Sequence, residues 1–224
     1  MAYAGGTSYP APPNYPPAAN PIAVVNPQFC TPYPVDLVVV KKLMTLKEGS
    51  FAVTNVNGDV MFKIKGSVFS IHDRRVLLDA ADNPIISFQQ KILTAHRRWN
   101  AYRGDSSGSK DLLFSVKKSS PLQFKTQLDV FLAANTKQDV FNFKIKGSWF
   151  ERSCTIYAAD GTTIIAQSMN LIDENAMHKK HSAQSILLGK DTFGVTVYPH
   201  VDYAFIVALV VILYEINKDR SGSD

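Results

Sequence analysis

Short segments of alternating hydrophobic and polar residues, separated by turn residues, dominate the chain from residue 32 onward. Residues 51–56 and 60–65 alternate with the period of two that turns one face of a strand toward a core. Asn57-Gly58 lies between them and is a strong signal for a hairpin. The same pattern predicts strands at 76–78, 85–88, 112–116, 122–126, 128–132, 141–146, 154–157, 163–166 and 193–198. We predict about ten to twelve strands and a mainly β fold.

Residues 203–214 form an uncharged, almost wholly apolar run between Asp202 and Glu215. As an α-helix this run is about 18 Å long, too short for the roughly 30 Å hydrocarbon core of a bilayer. As a single strand it would be about twice the usual length. Asp202 suits the N-cap of this helix. Lys218 lies near the C-terminal end of the helix, where a cation interacts favourably with the helix dipole. A helix that is apolar on every face must be surrounded by a core.

An internal repeat relates two parts of the chain. The sequence FKIKGSVF at residues 62–69 recurs as FKIKGSWF at residues 143–150. This spacing is too long for an ordinary solenoid repeat, so it predicts two halves of one β-structure related by pseudo-symmetry. A large sheet tends to curl, and closure removes its edges. We therefore predict a closed antiparallel β-barrel with the C-terminal helix, residues 203–217, threaded through it.

The N-terminal residues 1–28 are rich in proline, alanine, glycine and asparagine, a composition that predicts a disordered tail. Within them, Pro12, Pro13 and Tyr15 match the PPxY pattern that WW domains bind as a polyproline II ligand. The two interpretations are a ligand for a WW-domain protein and a plain solubilising tail. The predicted folded domain spans residues 29–218, followed by a short C-terminal tail at 219–224.

The overall charge favours an acidic partner. The chain of 224 residues has a net charge of +5 and a pI near 9.1, so anionic lipid and nucleic acid are the candidate partners. Cys30 and Cys154 are too few for a disulfide framework and are expected to be free thiols in a reducing compartment. With no signal segment or lipidation motif in this sequence, we expect an intracellular, cytoplasmic monomer.

No catalytic or cofactor motif stands out in the chain. The sequence lacks a GxSxG elbow, a phosphate-binding glycine loop and an HExxH helix. His178 and His181 have a metal-like spacing, but they lie in a lysine-rich polar stretch without further ligands, which favours a solvated basic loop. We therefore expect no enzymatic activity, no cofactor and no metal site.

Two lysine pairs in the repeats are the candidate binding residues. Lys63 and Lys65, and likewise Lys144 and Lys146, alternate with apolar residues, so each pair lies on one strand face. Two ammonium groups about 7 Å apart can engage one polyanionic head group, and the alternative is a solvated outer face. Trp99, beside several arginines, has two interpretations as well: stacking on bases or lipid, and core packing with an arginine rim.

Several segments together resemble the plant LURP-one-related family. They are Pro32-Tyr-Pro34, His96-Arg-Arg-Trp99, Val116-Lys-Lys-Ser-Ser120, Glu151-Arg-Ser-Cys154, Leu188-Gly-Lys-Asp191 and Val195-Thr-Val-Tyr-Pro199, and the resemblance covers residues 29–217. The family is similar to the Tubby C-terminal domain and the phospholipid scramblases, which implies a twelve-stranded barrel closed around a hydrophobic helix. Lys63-Ile-Lys65 resembles the Lys-x-Arg pair with which Tubby domains bind phosphatidylinositol bisphosphate, although Lys replaces Arg. Asp191-Thr-Phe-Gly194 looks like a remnant of the scramblase calcium loop with too few oxygens to bind Ca²⁺.

The leading hypothesis from the sequence is a non-enzymatic, Tubby-like protein that binds phosphoinositide at the cytoplasmic face of an anionic membrane, in plant defence signalling. The expected locations are the cytoplasm, the periphery of the plasma membrane and the nucleus. The alternative is a protein-interaction or transcription-regulatory module that uses the proline-rich tail and the barrel surface. DNA binding is a third interpretation, and it rests only on the pI and on analogy with the family.

Overall fold

Twelve antiparallel strands and one long helix make up the computed structural model, which describes residues 20–41, 50–66, 73–91, 98–120, 126–148, 153–170 and 192–221. The strands are β1 Val35–Lys41, β2 Phe51–Asn55, β3 Val60–Gly66, β4 Arg75–Asp79, β5 Pro84–Gln90, β6 Trp99–Arg103, β7 Leu112–Lys118, β8 Thr126–Leu132, β9 Phe143–Ser148, β10 Ser153–Tyr157, β11 Ile164–Asn170 and β12 Thr192–Val197. Each strand pairs with its neighbours in sequence, and β1 pairs with β12 to close the barrel. The predicted fold class is confirmed.

The barrel surrounds the helix α1, Tyr203–Ser221, as the apolar run predicts. Every residue from Ala204 to Leu213 is buried, because the helix meets inward-facing side chains on all sides. Burying one Val, Leu or Ile side chain contributes roughly 1.5–3 kcal/mol to the free energy of unfolding, so the helix and the barrel stabilise each other. The helix begins at the predicted residue and extends four residues beyond the predicted end at 217.

Strand direction defines two ends of the barrel. We call the end where α1 begins the entry end and the end where α1 finishes the exit end. The odd-numbered strands, such as β3, run from the entry end to the exit end, and the even-numbered strands run back. Inward and outward side chains alternate along each strand: on β3, Phe62 and Ile64 are buried in the core while Lys63 and Lys65 face outward.

Residues 20–34 pack across the entry end, which corrects part of the tail prediction. Ile22 bridges Val201, and Val25 and Phe29 are buried. The prediction of disorder is therefore wrong for residues 20–28. Their apolar side chains pack on the barrel, but the proline-rich composition of residues 1–28 as a whole obscures these few apolar positions. Residues 1–19, which include Pro12, Pro13 and Tyr15, lie outside the described residues.

Candidate functional site

Lys63 and Lys65 converge on one carboxylate. Both Nζ atoms lie 2.9 Å from Asp82, one on each carboxylate oxygen, and Lys63 also donates to the Ala80 carbonyl oxygen at 3.0 Å. The hydrogen bonds from Lys63 and then Lys65 lower the pKa of Asp82. The side chains remain accessible, with 54% of the Lys65 side chain and 50% of the Asp82 side chain exposed. The strand period and the turn thus hold two cations around one anionic group.

The β4–β5 turn presents Asp82 to these lysines. Asn83 donates its backbone N–H and its Nδ2 to the Asp79 carboxylate, at 2.8 and 2.9 Å, which fixes the turn and lowers the pKa of Asp79. Asp82 itself has φ of 67°, a left-handed conformation that aspartate tolerates better than most residues. Because exposed ion pairs contribute only about 0–1 kcal/mol each, a stronger anion can displace the Asp82 carboxylate.

The second lysine pair has a different environment. Lys144 Nζ lies 3.4 Å from Asp129 and 4.7 Å from the centre of the Phe141 ring, and Lys146 Nζ lies 4.6 Å from the centre of the Tyr157 ring. Strands β3 and β9 are six places apart in the closed order of twelve, so the two pairs face opposite sides of the barrel. The structure therefore does not bring the four lysines together into one site.

The repeat explains why only one pair shares a carboxylate. An offset of 81 residues relates Lys63 to Lys144, but the strand register relates β4 to β10 by 79 residues, because Lys63 pairs with Leu78 and Lys144 with Tyr157. Asp82 therefore corresponds to Gly161, which has the same left-handed backbone conformation, with φ of 70° against 67°. In the second half, Asp160 accepts hydrogen bonds from Thr162 and Thr163 within its own turn, which lower its pKa to about 2. The second turn therefore provides no carboxylate at the counterpart of Asp82.

An open groove of about 320 Å³ lies on the entry side of Lys63. It is lined mainly by apolar and aromatic residues: Phe29, Val60, Met61, Phe62, Asp79, Ala80, Ala81 and Tyr203. The rings of Phe29 and Tyr203 meet edge to face at 5.3 Å, and Phe29 also packs on Phe62 at 5.8 Å. With Asp79 as its one ionisable carboxylate, the groove does not add to the anion-binding character of the lysine pair.

Asp202 joins the N-terminal segment to the helix and so places Phe29 in the groove. Its Oδ2 accepts the backbone N–H groups of Val24, Val25 and Asn26 at 2.7–3.2 Å, and its Oδ1 accepts the N–H of Phe205 at 3.0 Å. The side chain is fully buried, and this burial raises its pKa although the four hydrogen bonds act in the opposite direction. The sequence predicts the helix cap but not the contacts with the N-terminal segment.

Other candidate residues have structural roles or lie outside the described ranges. Trp99 is 1% exposed and Tyr102 is 5% exposed, so core packing is the correct interpretation for these aromatic residues. Burial raises the pKa of Cys30 to about 11 and that of Cys154 to about 12, so both free thiols stay protonated at neutral pH. His178 and His181 are outside the described residues.

The described residues contain neither a cluster of metal ligands nor a bilayer-spanning helix. Across these ranges no three His, Cys, Asp or Glu side chains are grouped so that they could hold a metal ion. In the same ranges, no helix has both the length and the apolar character needed to cross a bilayer.

Comparison with known proteins gives consistent matches over the barrel and helix. A family model described as LURP-one-related matches residues 35–214. Protein LURP-one-related 15 of Arabidopsis thaliana is 50% identical over 196 residues, covering 88% of this chain and 86% of that protein. Protein LURP-one-related 10 of the same plant is 51% identical over 201 residues, covering 89% and 99%. An X-ray structure of an Arabidopsis thaliana protein superposes with a TM-score of 0.66 at 41% identity, covering 87% of this chain and 98% of that one.

Proposed function

The chain belongs to the LURP-one-related family, and from this premise we propose that it is a non-enzymatic protein that binds phosphoinositide at an anionic membrane surface. It acts as a peripheral protein at the cytoplasmic face of the plasma membrane, with the nucleus as a second location. Its setting in plant defence signalling rests on the family resemblance. The binding site is the pair Lys63 and Lys65 on the outer face of β3.

One observation carries this proposal. The ammonium groups of Lys63 and Lys65, at successive outward-facing positions of β3, each contact one oxygen of the Asp82 carboxylate. A phosphate monoester carries about −1.5 to −2 charges near neutral pH and three acceptor oxygens, so it competes well for the same two donors. Asp82 then occupies the site in the absence of lipid and leaves when a phosphorylated head group arrives. Because an exposed ion pair contributes only about 0–1 kcal/mol, little free energy opposes this exchange.

The repeat offers a matched control for the test. We expect Lys63→Ala/Lys65→Ala to abolish the preference for vesicles containing phosphatidylinositol bisphosphate over phosphatidylserine vesicles of equal charge. Lys144→Ala/Lys146→Ala removes the same two charges on the opposite side of the barrel and is expected to keep that preference. Vesicle sedimentation measures both, with melting temperatures as the folding control. A correctly folded Lys63→Ala/Lys65→Ala variant with the wild-type preference would rule out this site.

Substitution of the competing carboxylate tests the exchange itself. Asp82→Asn keeps the size of the side chain but removes the negative charge between the lysines, so we expect several-fold tighter binding to the same phosphoinositide vesicles. A weaker affinity would show that Asp82 orients the lysines rather than competing with the lipid.

The motif at Pro12, Pro13 and Tyr15 favours a second candidate, a protein-interaction or transcription-regulatory module that uses the proline-rich tail. Because residues 20–34 pack on the barrel, the informative deletion is residues 1–19 rather than 1–28. Loss of WW-domain binding in this deletion and in Tyr15→Ala, with lipid binding retained, would support this candidate beside the first.

A further inference from the structure

The apolar groove and the lysine pair form one continuous surface along β3. Met61, Lys63 and Lys65 occupy successive outward positions of this strand, roughly 7 Å apart, and Met61 lines the groove. Lys63 Nζ donates to the carbonyl oxygen of Ala80, a residue that also lines the groove. The two ammonium groups therefore lie at one end of the groove, where the charged and the apolar parts of a single molecule can bind together.

Three aromatic rings form one wall of the groove. The ring centres of Phe29, Phe62 and Tyr203 lie 5.3–5.8 Å from one another, so each ring packs against the other two. The hydrogen bonds from the N-terminal segment to Asp202 hold Phe29 in this position. Because the wall is already formed, these side chains do not have to become ordered when a ligand binds.

Asp79 determines which part of a ligand can enter the groove. Its carboxylate accepts two hydrogen bonds from Asn83, and these lower its pKa, so it is ionised at neutral pH. An anionic group in the groove is therefore repelled, whereas an anionic group at Lys63 and Lys65 is attracted. The ligand that suits both regions has an anionic head and an uncharged, apolar body.

In the second half of the barrel, an aromatic ring fills the equivalent space. The offset of 81 residues between β3 and β9 places Phe141 at the position of Val60. The Phe141 ring lies beside the β10–β11 turn, where a Cβ atom added to Gly161 would be 3.5 Å from its Cζ. Lys144 Nζ also contacts this ring, at 4.7 Å from its centre. The larger side chain thus joins the turn to the lysine in that half.

The first half leaves this space open. Val60 is smaller than its counterpart and is 42% exposed. Phe29 and Tyr203 come from the segments before β1 and after β12, which the repeat does not include. The groove and the carboxylate shared by Lys63 and Lys65 therefore occur in the same half of the barrel.

We propose that the groove binds part of an acyl chain of the same phosphoinositide whose head group binds Lys63 and Lys65. This inference rests on the proposed function and deepens it, because the ligand is then the lipid with its chain rather than the head group alone. The volume of about 320 Å³ is at the low end for small-molecule sites, so the groove holds a segment of one chain. Its apolar lining suits methylene groups, and the adjacent lysines complement the charge of the head group.

Chain length provides the first test. Wild-type protein is titrated by calorimetry, without vesicles, with inositol trisphosphate and with dibutanoyl and dioctanoyl phosphatidylinositol bisphosphate below their micelle concentrations. Each methylene removed from water contributes about fourfold to affinity, so burial of two of the added methylenes contributes about 15-fold. We therefore expect the dioctanoyl lipid to bind about 15-fold more tightly than the dibutanoyl lipid. Equal affinities would overturn the groove inference.

Filling the groove provides the second test, and the repeat supplies its control. The strand register that relates Asp82 to Gly161 also relates Ala80 to Ala159, and both alanines are exposed. We expect Ala80→Trp to reduce the ratio between the two lipids to less than about threefold and to bind inositol trisphosphate as the wild type does. Ala159→Trp adds the same ring on the opposite side of the barrel and should keep the wild-type ratio. Melting temperatures serve as the folding control.

Val60→Phe is a second variant that fills the groove, and it copies the residue found in the other half of the barrel. Because Val60 is exposed and Phe141 is accommodated at the equivalent position, we expect this variant to fold even where Ala80→Trp does not. It should show the same loss of chain-length dependence. A wild-type ratio between the two lipids in either folded variant would overturn the inference.

The outcomes separate this inference from the proposed function. Equal affinity for the two lipids, with binding lost in Lys63→Ala/Lys65→Ala, would overturn the groove and support the head-group site. Undiminished, chain-length-dependent binding in Lys63→Ala/Lys65→Ala would show that the groove binds acyl chains without the lysine pair, which would overturn the head-group site. Absence of binding to all three ligands would overturn both.

Discussion

At the scale of single residues, Asp202 contributes more than the helix cap that the sequence predicts. One oxygen accepts the N–H of Phe205 and the other accepts three consecutive N–H groups of the N-terminal segment. The sequence indicates the cap because Asp202 directly precedes an apolar run. It gives no sign of the second role, because the partners lie 176–178 residues away and have no side-chain signature.

Substitution of Asp202 tests this double role. Asp202→Asn retains one acceptor oxygen but turns an NH₂ group toward amides that need an acceptor, and it therefore leaves buried donors unsatisfied. Because each such donor costs roughly 1–3 kcal/mol, we expect the free energy of unfolding to fall by about 2–4 kcal/mol. Urea unfolding measures this loss, with Asp36→Asn on the exposed face of β1 as the control. A loss below about 1 kcal/mol would show that the N-terminal segment contributes little to stability.

The lysine pairs show how far residue patterns lead toward the site. Period-two alternation correctly predicts that Lys63 and Lys65 share an outward face, and the repeat correctly marks Lys144 and Lys146 as their counterparts. The shared Asp82 is not predictable from that pattern, because it depends on how the β4–β5 turn folds back over β3. The role of these lysines in lipid binding stays a prediction.

At the scale of elements, most strands follow from alternation, and the two absent from the predicted set have physical reasons. In β1, Val38, Val39 and Val40 follow one another, so the period of two is lost. In β6, both faces are buried, because Ser106 in the β6–β7 connection folds back and accepts a hydrogen bond from Ser87 on the outer side of the neighbouring strand. A strand that is covered on both sides does not alternate.

The C-terminal half of α1 is fixed to the barrel by a buried ion pair. Arg75 donates from Nε and Nη2 to the two oxygens of Glu215, at 3.2 and 3.1 Å, and both side chains are about 7% exposed or less. Nearby, Thr126 donates to Asn217 at 2.8 Å. These contacts set the rotation of a helix whose uniformly apolar surface gives little preference for one face.

Removal of one partner of this pair should be costly. Glu215→Ala leaves the Arg75 guanidinium buried without a counter-charge, so we expect a loss of about 3–5 kcal/mol in the free energy of unfolding. The double variant Arg75→Met/Glu215→Leu replaces the pair with apolar groups and should recover most of that loss. Denaturant titration of the three proteins measures both effects. Equal destabilisation in the single and double variants would mean that packing, rather than charge, determines the cost.

At the scale of the whole molecule, the repeat relates two halves whose equivalent strands run in the same direction on opposite sides of the barrel. The pseudo-twofold axis therefore follows the barrel axis, along which α1 lies. The sequence predicts the closed barrel and its contents from the repeat and the apolar run. It does not predict which residues of the two turns meet which strands, since the contact of Asp82 with Lys63 and Lys65 depends on how the β4–β5 turn folds.

Because the axis of the barrel is occupied by α1, the helix should be indispensable for the fold. Ala208 is fully buried at the centre of the helix, where a carboxylate would have neither water nor a partner, and a buried unpaired charge costs several kcal/mol even after the structure relaxes. A domain with a typical stability of about 5–15 kcal/mol cannot absorb this cost together with the steric clash.

We expect Ala208→Asp to abolish the cooperative thermal transition and the near-ultraviolet circular dichroism. Val56→Asp adds the same charge at an exposed turn and should leave both unchanged. A folded Ala208→Asp protein released from membranes would instead mean that the apolar run contacts lipid rather than the barrel.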